Sequence, residues 1–309
     1  MSIYEQGHSR RQFLGSAGLV AAVTTTSAGA ATGDAGMPRI KLGKYSISRL
    51  VCGNNPFNGG SHTSPLLNEE MRRYYTPEQV YKTLRRCQEE GINCWQSGST
   101  KLDLYQRLVK EGRPMHFLAT GHSGPGRIEP LKAGGCVGLA MSGEPADVLF
   151  KTGKIDQLND YLKEVRDSGM LVGVSTHMPA VVDIVESKGW DVDYYMTCVY
   201  ERHRSAADLE KLLGQAPIPV GEVYLPLDPP RMYKMIQQTK RTCLAFKILA
   251  AGRLSQKTAS LEDAFKSTFQ NIKPGDGVIV GMYDKFSDQV GENAALVRRF
   301  GSAKPTPAA

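Results

Sequence analysis

Residues 155–168 read IDQLNDYLKEVRDS and run straight into Gly169-Met170-Leu171-Val172-Gly173-Val174-Ser175-Thr176-His177. Ile155, Leu158, Leu162 and Val165 recur at helical spacing, and the helix they predict stops at Gly169, a residue suited to helix ends. Leu171–Thr176 follows as a continuous apolar run, the pattern of a strand covered on both faces. Polar His177 closes the run. A helix feeding a fully buried strand is the repeating unit of a parallel α/β fold.

The same unit recurs in both directions. Further strands are expected at Arg49–Gly53, Ile92–Gln96, Met115–Thr120, Cys136–Met141, Asp193–Val199, Cys243–Leu249 and Val278–Met282. A helix is expected over Pro77–Glu90, with Thr76 as N-cap, Pro77 in the first position and Gly91 after it. Others are expected at Pro179–Ser187, Leu261–Gln270 and Phe286–Phe300. Pro217 to Pro230 reads as a loop with an extra extended segment, before a helix at Arg231–Thr239. Eight alternations without a linker predict an α/β fold of the (β/α)8 TIM-barrel type. An open doubly wound sheet is the competing architecture, but no GxGxxG follows the first strand. Residues 37–48 read as a hairpin turning at Gly43-Lys44 and capping one end of the barrel.

The first 36 residues stand apart. Ser9-Arg10-Arg11-Gln12-Phe13-Leu14 is a twin-arginine pattern, an apolar stretch runs from Phe13 to Val23, and Ala28-Gly29-Ala30 fits a small-x-small cleavage site. The expected organisation is a signal and linker over 1–36, the barrel over 37–300, and a disordered tail over 301–309. The mature protein is expected in the periplasm or outside the cell. The twin-arginine route carries proteins that fold before export, which hints at a cofactor or metal loaded in the cytoplasm.

The chain has 309 residues, 41% hydrophobic and 22% charged, a globular mix that excludes wholesale disorder. Its formal charge of +7 belongs to the barrel, because Arg10 and Arg11 cancel Glu5 and Asp34 within the first 36 residues. No run of five like charges and no basic-aromatic motif occurs, which argues against nucleic acid as a partner. No apolar run reaches the roughly 18 residues of a membrane span, so no membrane attachment is expected after signal removal. Cys52, Cys87, Cys94, Cys136, Cys198 and Cys243 form no CxxC, and five lie in strand-like runs. They read as buried free thiols.

Several segments resemble the aldo/keto reductases. Ile40–Gly43 through Leu50–Gly53 is similar to their opening hairpin and first strand, and Gly91-Ile92-Asn93-Cys94-Trp95 to their second. Gly169–His177 resembles their "GVS" strand. Val280-Gly281-Met282 with Gln289 and Glu292-Asn293 resembles their C-terminal cofactor-binding turn and helix. The resemblance spans about residues 40–300 and implies NADP held by Gln289, Asn293 and Lys285, the last in place of a phosphate-binding Arg. The family's Asp, Tyr, Lys and His tetrad is not matched. The corresponding strand ends read Gln96-Ser97-Gly98, Thr120-Gly121-His122 and Ala140-Met141-Ser142-Gly143, and Tyr105 lies too far on.

Catalytic groups of these barrels sit where strands end at the C-terminal face. Those positions here hold His122, His177, Glu201 and His203, with Lys247 in the seventh strand and Asn54, Asn55 and His62 on the loop after the first. Imidazoles and a carboxylate converging from different strands suit Mn, Fe, Co, Ni or Zn. His122, His177, Glu201 and His203 are therefore the candidate metal ligands. Lys247, if it points inward, is a desolvated base or Schiff-base amine, and His122 and His62 are further proton carriers. Asp228 is a weaker acid/base candidate, Arg202, Arg204 and Arg253 are candidate anion binders, and Trp95 or Tyr200 could stack on a sugar.

The expected function is an exported, metal-assisted lyase, hydratase or epimerase acting on a small sugar-like substrate. The alternatives are an NADP-dependent oxidoreductase with His122 as an atypical proton donor, and a non-catalytic binding protein on a degenerate reductase barrel.

Overall fold

The computed structural model describes residues 36–98, 101–121, 126–218 and 222–302. The signal and linker reading, most of the tail reading and His122 lie outside them. Strands β1 (Arg39–Leu42) and β2 (Tyr45–Ser48) form the antiparallel hairpin, turning at Gly43-Lys44. The chain then runs β3 (Leu50–Gly53), α1 (Pro65–Tyr74), α2 (Pro77–Glu89), β4 (Cys94–Gly98), α3 (Leu102–Lys110) and β5 (His116–Gly121). It continues with α4 (Ile128–Ala133), β6 (Gly138–Met141), α5 (Gly143–Lys151), α6 (Asp156–Asp167), β7 (Leu171–Thr176) and α7 (Pro179–Ser187). The last third holds β8 (Tyr194–Cys198), α8 (Ala206–Leu213), α9 (Asp228–Gln238), β9 (Thr242–Phe246), α10 (Thr258–Asn271), β10 (Gly277–Gly281) and α11 (Gln289–Gly301). β3 to β10 close into one parallel barrel in the order β10-β3-β4-β5-β6-β7-β8-β9, a (β/α)8 TIM barrel.

Local chemistry places the elements where the sequence expects them. The Thr76 side chain accepts the backbone N–H of Gln79, and Pro77 occupies the first helical turn of α2. Gly169 ends α6 at φ +77°, a left-handed conformation open to glycine at low cost. Five elements fall between the helices expected from sequence: α1, α3, α4, α5 and α8. The extended segment expected between Pro217 and Pro230 is not a strand among the described residues, where 222–225 is irregular and α9 starts at Asp228. The prolines there remove ladder donors, which explains the absence.

The barrel wall separates two apolar layers. Val51, Leu118, Ala140, Tyr194, Met196, Leu244 and Ile279 point inward and meet Ile40, Leu42 and Ile47 of the hairpin. The hairpin therefore plugs the N-terminal end, leaving the C-terminal end for chemistry. Outward residues such as Trp95, Phe117, Val172 and Val280 pack beneath the helices. Trp95 is fully buried against Phe57 and Phe117, so it is core and not a sugar platform. All six cysteines are buried and free.

Candidate active site

The strand ends surround a cavity of about 610 Å³. Gln96, Thr120, Ser142 and Ser175 contribute amide and hydroxyl groups to its wall, and His177 and Lys247 reach it from the ends of β7 and β9.

Lys247 follows directly on β9. Its φ is +59°, a left-handed conformation rare for a side chain with a Cβ, and Ala250 and Ala251 in the same turn are at +48° and +53°. The strained turn aims the side chain into the cavity, where the ammonium nitrogen is buried without a hydrogen-bond partner among the described residues. Burial first, opposed by the Cys198 thiol and reinforced by Arg202 and Arg253, brings the Lys247 pKa down to about 7. A large share of this amine is unprotonated and nucleophilic near neutrality.

Beside it lies a network built on Glu222, a residue the sequence reading passed over. Its carboxylate accepts from Arg202 Nη1, from the Tyr224 hydroxyl at 2.6 Å and from His62 Nδ1 at 2.7 Å. Arg253 donates to the carbonyls of His62 and Glu222 at 3.0 and 3.3 Å and lies over the Tyr224 ring. Burial and then the charges of Lys247, Arg202 and Arg253 push the His62 pKa down. The ring therefore donates from Nδ1 to Glu222 and accepts at Nε2 from the Asn55 amide, 3.0 Å away. Both nitrogens are occupied, so His62 builds the wall and is not a free proton carrier.

Also on the cavity wall, His177 follows β7, and its partner Asp147 lies on α5. His177 Nδ1 stands 2.7 Å from Asp147 Oδ2, and the two side chains are 5% and 3% exposed. Asp147 also accepts the Thr176 hydroxyl at 2.5 Å and the His177 backbone N–H at 3.2 Å. Burial pushes the His177 pKa down, Asp147 opposes, and Arg202 and Lys247 add to the fall. The imidazole is neutral with its proton on Nδ1. Asp147 escaped the sequence reading because nothing local marks a carboxylate in the second turn of an ordinary helix.

Of the proposed metal set, His122 lies outside the described residues, and His177, Glu201 and His203 do not come together as one ligand group. Glu201 pairs with Arg204 at 3.2 Å and Arg231 at 2.7 Å, and Arg204 also grips the buried Asp228. Glu201, Asp228 and Arg204 form a closed charge network away from the cavity lining, so none is a free ligand, acid or anion binder. His203 meets the His177 ring edge-to-face at 5.2 Å between centroids, with its own Nε2 buried and unpartnered among the described residues. Burial first, then Arg202 and His177, lower its pKa to about 4. Among the described residues, no group of three or more His, Cys, Asp or Glu is placed to hold a metal ion. Tyr200 packs edge-on against Tyr224 and belongs to the core.

Of the three residues matched to a nucleotide site, Gln289 and Asn293 line the cavity. Gln289 Oε1 is taken by the backbone N–H of Tyr283 at 2.8 Å, which closes the turn before α11. Lys285 turns away and pairs with Glu70 on α1. Lys285 and the Gln289 carbonyl are thus engaged within the chain, while Asn293 stands on the cavity wall.

No family model matches the sequence, and comparison with curated proteins finds no match. Solved structures similar to the chain include a glycerol dehydrogenase from Gluconobacter oxydans, at 11% identity and TM-score 0.45, with 88% of this chain and 98% of that one covered. A phospho-2-dehydro-3-deoxyheptonate aldolase from Thermotoga maritima is 12% identical at TM-score 0.49, covering 85% of this chain and 71% of its own. Likeness at this level says nothing about chemistry, which has to come from the site's own side chains.

Proposed function

We propose that the chain is an enzyme that captures the carbonyl group of a small, sugar-like molecule on Lys247 as an imine and then makes or breaks a bond at the neighbouring carbons, a lyase or isomerase chemistry. One observation carries this reading: the Lys247 amine is buried in the cavity with no hydrogen bond among the described residues and two arginines nearby. A structural lysine is paired or reaches water. An amine kept dry beside other cations is an activated nucleophile.

In this reading the Nζ lone pair attacks the carbonyl carbon, a C–N bond forms, and the carbonyl oxygen leaves as water. Glu222 Oε2, 3.9 Å from Nζ, is the counter-charge that stabilises the iminium formed there, and water carries the protons of that exchange. The hydroxyl and amide groups of Gln96, Thr120, Ser142 and Ser175 suit a polyhydroxylated ligand. Metal assistance is the weaker reading, because Glu201, the carboxylate of that ligand set, is held by two arginines. The aldo/keto-reductase resemblance supports the barrel more than the hydride chemistry, since Lys285 is engaged elsewhere and His122, the proton donor that reading names, lies outside the described residues. The export reading places this chemistry in the periplasm or outside the cell. N-terminal sequencing of the protein purified from that compartment checks it, and a chain starting at Met1 would count against it.

Borohydride trapping tests the chemistry. The protein is incubated with hydroxyacetone, dihydroxyacetone or pyruvate, reduced, and digested for mass spectrometry. A reduced adduct is expected on Lys247 and absent in Lys247→Arg. Failure of Lys247 to label with every carbonyl compound would sink the proposal.

A further inference from the structure

The geometry points to His177 as a second catalytic residue, a base that removes the proton of a substrate hydroxyl, and to aldol cleavage of a β-hydroxy carbonyl compound as the reaction. This inference rests on the imine reading of Lys247 and adds to it the reaction and the substrate class.

An amine consumed in an imine cannot also be the base, so a second group must move the proton. Glu144 and Glu292 line the cavity only at its exposed rim, and both nitrogens of His62 are occupied. His177 differs from all three. Asp147 is a carboxylate and can only accept, so the 2.7 Å contact puts the ring proton on Nδ1. Nε2 keeps its lone pair and has no partner among the described residues. The ring is held in place around that lone pair. His203 and Phe246 pack edge-on against it at 5.2 and 5.7 Å between centroids. On another side lies Gly143, where an added methyl carbon would fall 2.8 Å from His177 Cε1. A carboxylate behind an imidazole fixes its tautomer and stabilises the imidazolium formed when Nε2 takes a proton.

Position supports a role alongside Lys247. Phe246, which touches the His177 ring, immediately precedes Lys247 in sequence. β7 and β9 flank β8 on either side, so the backbones that carry the two groups lie roughly 10 Å apart at ordinary strand spacing. Both side chains line the same cavity, which can hold a carbonyl carbon at Lys247 with a hydroxyl two carbons away beside His177.

The step balances without a further reagent. His177 Nε2 takes the hydroxyl proton, the oxygen's electrons form the new C=O, and the bond between the α and β carbons breaks. Its electron pair enters the iminium, giving an enamine on Lys247 and a free aldehyde. The imidazolium then returns its proton to the enamine carbon, and water hydrolyses the iminium to release the ketone.

The test uses the folded barrel with a panel of straight-chain 4-hydroxy-2-ketones, with and without a terminal carboxylate, and measures aldehyde release beside borohydride trapping. Wild type is expected to do both. His177→Gln is expected to trap the ketone within about three-fold of wild type and release aldehyde at least 100-fold more slowly, the scale of general base catalysis. Imidazole added to His177→Gly is expected to restore cleavage, which rescue of a merely structural histidine would not do. Asp147→Asn, a change in the positioning residue, is expected to lower kcat at least ten-fold with KM unchanged. Cleavage by His177→Gln at the wild-type rate overturns the inference. So does a wild-type protein that traps ketones but cleaves none of the panel, an outcome that leaves the imine reading standing. Failure to trap any ketone removes both.

Discussion

Lys247 Nζ and Glu222 Oε2 stand 3.9 Å apart, near enough to attract and too far to share a hydrogen bond. The carboxylate meanwhile spends its hydrogen-bonding capacity on Arg202, Tyr224 and His62. The amine is thus left with a counter-charge in view and no hydrogen-bond partner among the described residues, the condition that frees its lone pair.

Reaction at Lys247 should follow its lowered pKa. The rate of adduct formation with hydroxyacetone is expected to rise as pH passes through about 7 and to level off above it. An ordinary lysine would keep rising toward roughly 10.4. A profile still climbing at pH 9 would contradict a desolvated amine.

The same burial predicts a stability cost. The folded pKa of about 7 lies below the unfolded value, so the unfolded chain holds the extra proton between pH 7 and roughly 10.4. The destabilisation is full below the folded pKa and fades as pH rises through that window. Lys247→Met should therefore be more stable than wild type at pH 7, by roughly 2–5 kcal/mol, and the gain should shrink toward pH 10.5. Urea unfolding of both proteins at the two pH values measures it, and equal midpoints at pH 7 would refute it.

Glu201 is expected to matter for stability and not for turnover. Its partners are Arg204 and the half-exposed Arg231. Glu201→Ala should cost about 1 kcal/mol of stability or somewhat more and leave trapping on Lys247 unchanged. Chelators should likewise leave trapping unchanged. Loss of activity in either experiment would restore the metal reading.

Gly143→Ala probes the packing of His177. The added carbon would lie 2.8 Å from Cε1, a separation neither atom can accept without movement. The His177 ring must turn or shift, so cleavage should fall at least ten-fold while labelling of Lys247 persists. Stability should fall by about 1–3 kcal/mol, the usual cost of overpacking. Unimpaired cleavage would show that the orientation of the ring is not needed.

The barrel was legible because its determinants are local. An apolar run such as Leu171–Thr176 can be buried only as an inner strand, and Thr76-Pro77 and Gly169 mark helix ends by their own conformational preferences. The expected helices leave out α1, α3, α4, α5 and α8, whose stretches are short, and the extended segment expected after Pro217 is not a strand among the described residues. Lys247 and His177 were found by position, since barrel topology brings every strand end to one face.

By itself the sequence determined the barrel and the residues that stand at its open end, through short-range rules of propensity and burial. Only the tertiary structure decided what those residues can do. Asp147 reaches His177 across 30 positions, and Glu222 reaches His62 across 160. Such pairings set which nitrogen carries a proton, which carboxylate is neutralised by arginine, and which amine is left without a partner. They depend on distances of a few ångströms between loops far apart in the chain, because hydrogen bonds and desolvation act only at contact.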